Sequence, residues 1–415
     1  MSPSSNSTVE VPTSPYVTDR MKEKTQFSIH SIGDEVSQGS VLDIESQKPG
    51  IVRGLKSRHV QLIALGSAIG TGLFIGSGGA LSICGPAPLL IAYAVMSFFV
   101  WSVMNQMTEM VTLIPLPGES TLYSLLKLYV NQPLSFMCGW NLFYAQAMIA
   151  PAEVTACALL VQYWTDANPA IFISIFLALS VAITMLPVKV FGESEFWVSS
   201  IKILTIVGLI IVGIVIFFGG GPAQEHVLGF HYWKKPGAFK PYLVEGGTGK
   251  FLAFWTAIIK SGFSFVLVPE IVSSCAGEAV APRRNMPRAC KRFIYRLALF
   301  YVFGILVVGI IVGYNNDRLL NAIASGQSSA AASPFVIGIK EAGIRVLPHI
   351  INAAILTSAY SCGTGLLYGA SRTLHSMACK GDAPRILTTV NKYGVPYYCT
   401  VITSLFCLLA YLNCS

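Results

Sequence analysis

Charge is what this chain has least of. Of its 415 residues only 12% are Asp, Glu, Lys or Arg, against 53% hydrophobic, whereas soluble domains carry about 25% charged residues. That balance excludes an ordinary soluble protein. The chain also lacks any CxxC pair among its ten cysteines. Most of them (Cys84, Cys138, Cys157, Cys275, Cys362, Cys407) fall inside or beside apolar runs, where cysteine acts as a small hydrophobe, so no disulfide framework is expected. No stripe of Arg and Lys interleaves with aromatics, so the net charge of +8 does not point to nucleic acid. No cleavable signal peptide opens the chain, because its first 50 residues are polar. No apolar run holds a paired nucleophile and base or a metal-ligand cluster. His226 and His231 share one loop with few other ligand types and read as solvated. Neither an enzyme, a metal nor a cofactor is expected.

What is abundant is long apolar runs, of about the 20 residues a helix needs to cross a bilayer. Nine are placed at about 60–80, 87–111, 136–160, 169–187, 196–218, 251–276, 293–313, 347–371 and 397–414. The expected fold class is therefore an all-α integral membrane protein. Met1 to about Arg58 is rich in Ser, Thr, Pro and charge and reads as a disordered tail. Lys22, Lys24 and Lys48 among its serines are candidate sites of regulatory modification.

Basic residues set the orientation. Arg20, Lys22, Lys24, Lys48, Arg53, Lys56 and Arg58 lie in the tail. Arg283, Arg284, Arg288, Lys291 and Arg292 follow the sixth run, with Arg296 just inside the seventh; Arg372, Lys380, Arg385 and Lys392 follow the eighth. All three groups share one side if the N-terminus is cytoplasmic. The loops after the first and third runs hold no Lys or Arg. The chain ends directly after the ninth run, which reads as a cut.

Few charges remain at membrane depth: Lys202, Lys260, Glu109, Glu153 and Glu270. Each costs at least about 2.5–3.5 kcal/mol near the bilayer centre, so such residues normally face the interior and have a task. Lys202 lies roughly 10 Å into the fifth run at 1.5 Å per residue. It either snorkels to the interface or gains and loses a proton during transport; the second reading is preferred. Lys260 is read first as a structural partner of Glu270 or Glu153, and otherwise as a reader of the substrate side chain. Glu109 marks either the interface or a gate.

Two apolar runs carry helix breakers. Residues 66–78, GSAIGTGLFIGSG, hold five glycines in thirteen residues, each costing roughly 1 kcal/mol against alanine in a helix interior. The sixth run combines Gly262 with Pro269, and proline costs about 3 kcal/mol inside a helix. Taken singly, such residues are common in membrane helices as kinks. Interrupted segments at matching positions of two halves instead point to a transporter site. Amides at Gly70, Thr71 and Gly72 can then hold a carboxylate. Carbonyls near Ser67 and Ala68, and around Phe263, Ser264 and Phe265, can accept from an α-ammonium. The rings of Phe263 and Phe265 can close over the ligand.

At these residues the chain resembles the yeast-type (fungal) amino acid permeases of the amino acid–polyamine–organocation superfamily. The likeness runs from GLKSRHVQLIALGSAIGTGLFIGSG through TEMVTLIPLPGESTLY, PAEVTACALLVQYW, FWVSSIKIL and FSFVLVPEIVSSCAGEAVAPRRNMPRA. It continues through SPFVIGIKEAGIRVLPHIINAAILTSAYS, YGASRTLHSMACKGDAP and GVPYY. The resemblance implies twelve spans, about nine of them present here, in a 5+5 inverted-repeat transporter fold. The implied layout is a tail 1–58, a first repeat 59–218, an extracellular loop 219–250 and an incomplete second repeat 251–415. It further implies proton-driven amino acid uptake at the plasma membrane, with substrate, protons and the lipid bilayer as partners. Ser67 to Gly72, Ile69 included, resemble the family's unwound first helix, and Phe263 to Phe265 its unwound sixth. Lys202 matches a lysine proposed to replace a sodium ion between spans one, five and eight. Glu278, Pro282, Arg283 and Pro287 match a signature read as a gate or folding element.

Three positions depart from the family pattern: Val266 to Pro269, where a small polar residue or glycine is common; Lys260, more often neutral; and Gly363-Thr364-Gly365, where a Gly-Asn-Ser-like run is typical. Two other readings are an amino-acid-sensing receptor that signals through the tail, and an inactive truncated fragment.

Overall fold

A computed structural model describes residues 54–113, 121–324 and 333–414, without the side chains of Ala64, Leu65, Ser67, Ala68, Thr121 and Ile294. The tail up to residue 53, with its lysines, lies outside the described residues. Among the described residues the architecture is helical, with one isolated parallel bridge between Leu55 and Ala279.

The chain opens with α1, Ser57–Ala68, then bends at Ile69 and Gly70 into a π-helical turn, Gly72–Gly76, continued by α2, Ser77–Cys84. Gly85, at φ 82°, ends α2, and Pro86 begins α3, Pro86–Leu113, the usual division of labour between glycine after a helix and proline at the start of one. There follow α4 (Thr121–Tyr129), α5 (Gln132–Val161), α6 (Pro169–Thr184) and α7 (Val188–Phe217). Asn131 caps α5 by accepting the Leu134 amide at 2.9 Å, satisfying one of the amides a helix start leaves open. The second group comprises α8 (Gly246–Phe265), α9 (Val268–Glu278), α10 (Pro282–Ile311), α11 (Asp317–Ala324), α12 (Pro334–Glu341), α13 (Leu347–Cys379) and α14 (Tyr397–Phe406).

Among the described residues seven helical stretches are long and apolar enough to cross a membrane; the shorter apolar helices Gly72–Cys84 and Pro169–Thr184 join them. They fall where the sequence placed its nine runs. Apolar side chains such as Phe98, Phe99, Trp197 and Leu204 are exposed, as lipid-facing positions would be. α13 is the buried axis: 72% of its apolar window lies inside, against 28% for α7. It packs most extensively on α5, while α10 packs on α3.

Three helices start earlier or end later than their hydrophobicity suggests. α7 begins at Val188, not near 196. α10 begins at Pro282, so Arg283, Arg284, Arg288, Lys291 and Arg292 ride on its first turns instead of a loop. α13 runs on to Cys379 and carries Arg372 inside. The reason is common to all: a helix can extend beyond its apolar window because its backbone bonds are internal and its charged side chains find water or a buried partner, as Arg372 does in Glu278. Residues 54–58 also leave the tail. The Gly54 and Leu55 amides both donate to the Glu278 carbonyl at 3.0 Å, and the Val280 amide donates to Leu55 at 2.9 Å.

Candidate functional site: two interrupted helices

Proline dictates the second interruption. With no N–H, Pro269 cannot bond back to the carbonyl of Phe265, and its ring clashes there. α8 therefore stops at Phe265, and α9 restarts with Pro269 in its first turn. Leu267 takes φ 60° between them, a left-handed conformation costing roughly 1–2 kcal/mol for a residue with a Cβ. Phe263, Ser264 and Phe265, expected to be unwound, form instead the last helical turn before the break. Gly262 stays helical. Tyr301 on α10 donates to the Ser264 carbonyl at 2.8 Å, and Tyr93 on α3 shares a 2.8 Å hydrogen bond with the Ser264 hydroxyl. The Phe265 ring lies 4.5 Å from Tyr301 between centroids.

The first interruption, at Ile69 and Gly70, is held by an ammonium. Lys202 on α7 is 1% exposed. Its Nζ donates to the Gly66 carbonyl in a very short hydrogen bond and to the Ile69 carbonyl at 3.1 Å. Snorkelling is thereby excluded for Lys202, since its head group points into the break. Ser358 on α13 donates to the same Ile69 carbonyl at 2.6 Å, and Ser199 on α7 reaches the Leu62 carbonyl at 2.7 Å. The break thus has its freed carbonyls claimed by α7 and α13, as non-helical backbone at membrane depth requires.

Glycine is needed here for space. A Cβ on Gly66 would stand 2.3 Å from Ser199 Oγ and 2.9 Å from Glu195 Oε2. One on Gly70 would stand 2.9 Å from Cys362 Sγ and 3.0 Å from Glu153 Oε1; one on Gly72 would meet Ser264 Cα at 3.1 Å. The last contact brings the two interrupted helices together.

Glu153 on α5 closes the cluster. Thr71 donates its hydroxyl to Glu153 Oε1 at 2.9 Å. The helix start read as a seat for a substrate carboxylate thus already faces a protein carboxylate. Glu153 Oε2 is buried with no hydrogen-bond partner among the described residues. Such an orphan acceptor calls for an explanation.

Other expected residues lie apart. Lys260 is exposed, beside the buried stripe of Ala253, Ala257, Ser261 and Ser264. It makes no ion pair with Glu270 or Glu153 among the described residues. Glu109 is exposed near the end of α3. Glu270 sits in the first turn of α9, partly buried, with Oε2 unpartnered among the described residues. Phe263 is 53% exposed and Phe265 buried, so only one of the two rings is free to close over anything. Ile69 is buried; of Ser67 and Ala68 only the helical backbone is described.

Sequence reading missed Glu195. It lies on α7 at 3% exposure and accepts from Ser361 of α13 at 2.5 Å. The signal was present: Glu195, Ser199 and Lys202 recur at four- and three-residue steps, one face of a helix. Starting the span at 196 left Glu195 in a loop. Arg372 was likewise read as loop. Its Nε lies 2.7 Å from Glu278 Oε1, with both side chains buried, and its guanidinium stacks 4.5 Å over Tyr368. Tyr368 in turn lies flat on Phe191, 4.3 Å away. This layer seals the end of the helices next to Leu55.

The family profile described as Amino acid permease matches residues 59–415. The chain belongs to the amino acid permease family. It is 50% identical over 364 residues to a proline-specific permease of Emericella nidulans, covering 88% of this chain and 66% of that one. It is 51% identical over 397 residues to a probable proline-specific permease of Schizosaccharomyces pombe, covering 95% and 70%. The chain thus spans about two thirds of the length of these permeases. Among solved structures, MhsT in complex with L-phenylalanine superposes with TM-score 0.60 at 14% identity, over 88% of this chain and 81% of that one. The likeness shows a shared transporter fold, as the two interrupted helices implied. The family is one of permeases, not enzymes, and the chain is a multi-pass membrane protein.

Proposed function

We propose that this permease imports an amino acid, with proline or a similar imino acid favoured, by proton symport across the plasma membrane. One observation carries the coupling: the Lys202 ammonium sits in the first break, bonded to the Gly66 and Ile69 carbonyls. A protonated lysine there holds the inner part of the first span to α7 and α13. A neutral one donates less strongly and loosens that grip, so proton occupancy and the shape of the break are linked. The tail, with its basic residues, faces the cytoplasm, which supports placing the N-terminal end of α7 inward. Residues 59–218 and 251–415 serve as the two repeats.

The substrate lies beside the first break, next to the point where Gly72 meets Ser264. Its ammonium turns toward the unpartnered Oε2 of Glu153, and Phe263 covers it. Two features favour an imino acid. The relatives at 50% and 51% identity are described as proline-specific. The carbonyls at the breaks are already engaged, Ser264 by Tyr301 and Ile69 by Lys202 and Ser358. A secondary ammonium brings two N–H donors where a primary one brings three, so it needs fewer acceptors. Uptake of labelled amino acids in cells lacking their own permeases tests this. Proline uptake should rise at acidic external pH and resist a hundredfold excess of lysine or glutamate. Uptake that either competitor abolishes would contradict the imino acid reading.

A further inference from the structure

A proton carried inward on Lys202 must leave on the cytoplasmic side, yet Lys202 is itself sealed. Its ammonium is engaged by two carbonyls, and the Phe191–Tyr368 stack and the Arg372–Glu278 pair close the helices below it. Glu195 stands between. It is seven residues before Lys202 on the same face of α7, so about 10 Å nearer that end at 1.5 Å per residue, and one turn above Phe191. Both groups converge on one glycine. Lys202 bonds the Gly66 carbonyl, while a Cβ on Gly66 would be 2.9 Å from Glu195 Oε2, 2.3 Å from Ser199 Oγ and 3.1 Å from Ser361 Oγ.

We propose that Glu195 is the proton acceptor through which Lys202 discharges to the cytoplasm, an inference that rests on Lys202 being the coupling group. In this step an N–H bond of the ammonium breaks and its proton passes by way of the Ser361 hydroxyl, whose own proton already points at Glu195 Oε2. An O–H bond forms on Glu195 Oε2. Ammonium and carboxylate become amine and carboxylic acid together, so the pair is neutral before and after the step and neither ion is left buried alone. When the aromatic layer opens, the acid gives its proton to cytoplasmic water, while the amine has released its hold on Gly66 and Ile69. The acid returns to carboxylate ready for the next cycle.

The surroundings fit this task. The ionisable groups that act on or are acted on by Glu195 are Lys202 on its own helix, Cys275 on α9, and Tyr360 and Cys362 on α13. Lys202 is the base among them. Glu195 and Lys202 meet across Gly66, whereas Glu153 borders Gly70. Glu153 is engaged on the opposite side of the break by Thr71, which suits it to the substrate and not to the exit.

The test separates movement of substrate from movement of protons. Purified full chain is placed in liposomes and assayed twice with labelled proline, for exchange at equal pH and for accumulation driven by an inward proton gradient. Glu195→Gln keeps the shape and the Ser361 contact but cannot take the proton. Exchange should stay within about threefold of the unsubstituted chain, while gradient-driven accumulation falls by about 10²-fold, the lower end of what positioned proton transfer contributes. Glu195→Asp should restore part of the accumulation. The proposal is overturned if Glu195→Gln accumulates normally, or if exchange and accumulation fall together in both variants, which would mark a structural role alone. Lys202→Met in the same assays judges the underlying reading separately: should that variant still accumulate proline, the coupling role of Lys202 fails whatever Glu195 does.

Discussion

The two interruptions solve the same problem by different means. In the first, glycines at 66, 70 and 72 let α7, α5 and α8 come close enough to touch backbone, and the freed carbonyls are held by a lysine and a serine. In the second, a proline forbids the helix from continuing, and neutral phenols of Tyr93 and Tyr301 hold Ser264. A phenol donates whatever the proton gradient does, whereas an ammonium donates with full charge only when protonated. Charge-assisted hydrogen bonds are roughly twice as strong as neutral ones. In the proposed mechanism the first break, whose carbonyls are held by an ammonium, is the one coupled to protons, while Ser264 at the second is held by phenols.

This contrast yields graded consequences. Among the uncharged positions Gly66→Ala should hurt most, since its Cβ would stand 2.3 Å from Ser199 Oγ and overpacking costs about 1–3 kcal/mol. Uptake by Gly66→Ala should fall at least about tenfold with surface protein retained, and Ser199→Ala added to it should recover part of the loss; no recovery would show that something other than this contact excludes a side chain. Tyr301→Phe removes one neutral hydrogen bond, worth about 0.5–1.5 kcal/mol. It should raise the proline concentration for half-maximal uptake up to roughly tenfold while leaving the pH profile unchanged. A shifted profile would erase the distinction between the two breaks. Ser358→Ala should matter least, because Lys202 still holds the Ile69 carbonyl. Uptake within about threefold of the unsubstituted chain is expected, at the low end of a neutral hydrogen bond; a loss as large as that of Gly66→Ala would mean that serine, not lysine, keeps the break open.

Much of this was legible in the residues. The apolar helices and the two breaks followed from apolar run length, from glycine density and from Pro269, because each acts locally on the backbone. Lys202 was identifiable because a lone cation in an apolar run has few alternatives. What escaped depended on partners distant in sequence. Glu195 and Arg372 sit near span ends, where hydropathy reads charge as loop, and only the packing of α13 against α7 and α9 buries them. The Phe263–Phe265 segment was placed one turn early, since the rule that proline frees the carbonyl four residues back fixes the break after Phe265. Lys260 carried a charge at membrane depth but faces outward, which periodicity alone does not settle at the edge of a buried stripe.

In the proposed mechanism the ammonium in the first break carries the coupled proton. Its most direct measurement is proline uptake by Lys202→Met against external pH, with surface protein quantified in parallel. Proton-driven accumulation should vanish and residual uptake should be flat with pH while the protein still reaches the surface. Accumulation with the unaltered pH dependence in that variant would contradict the account.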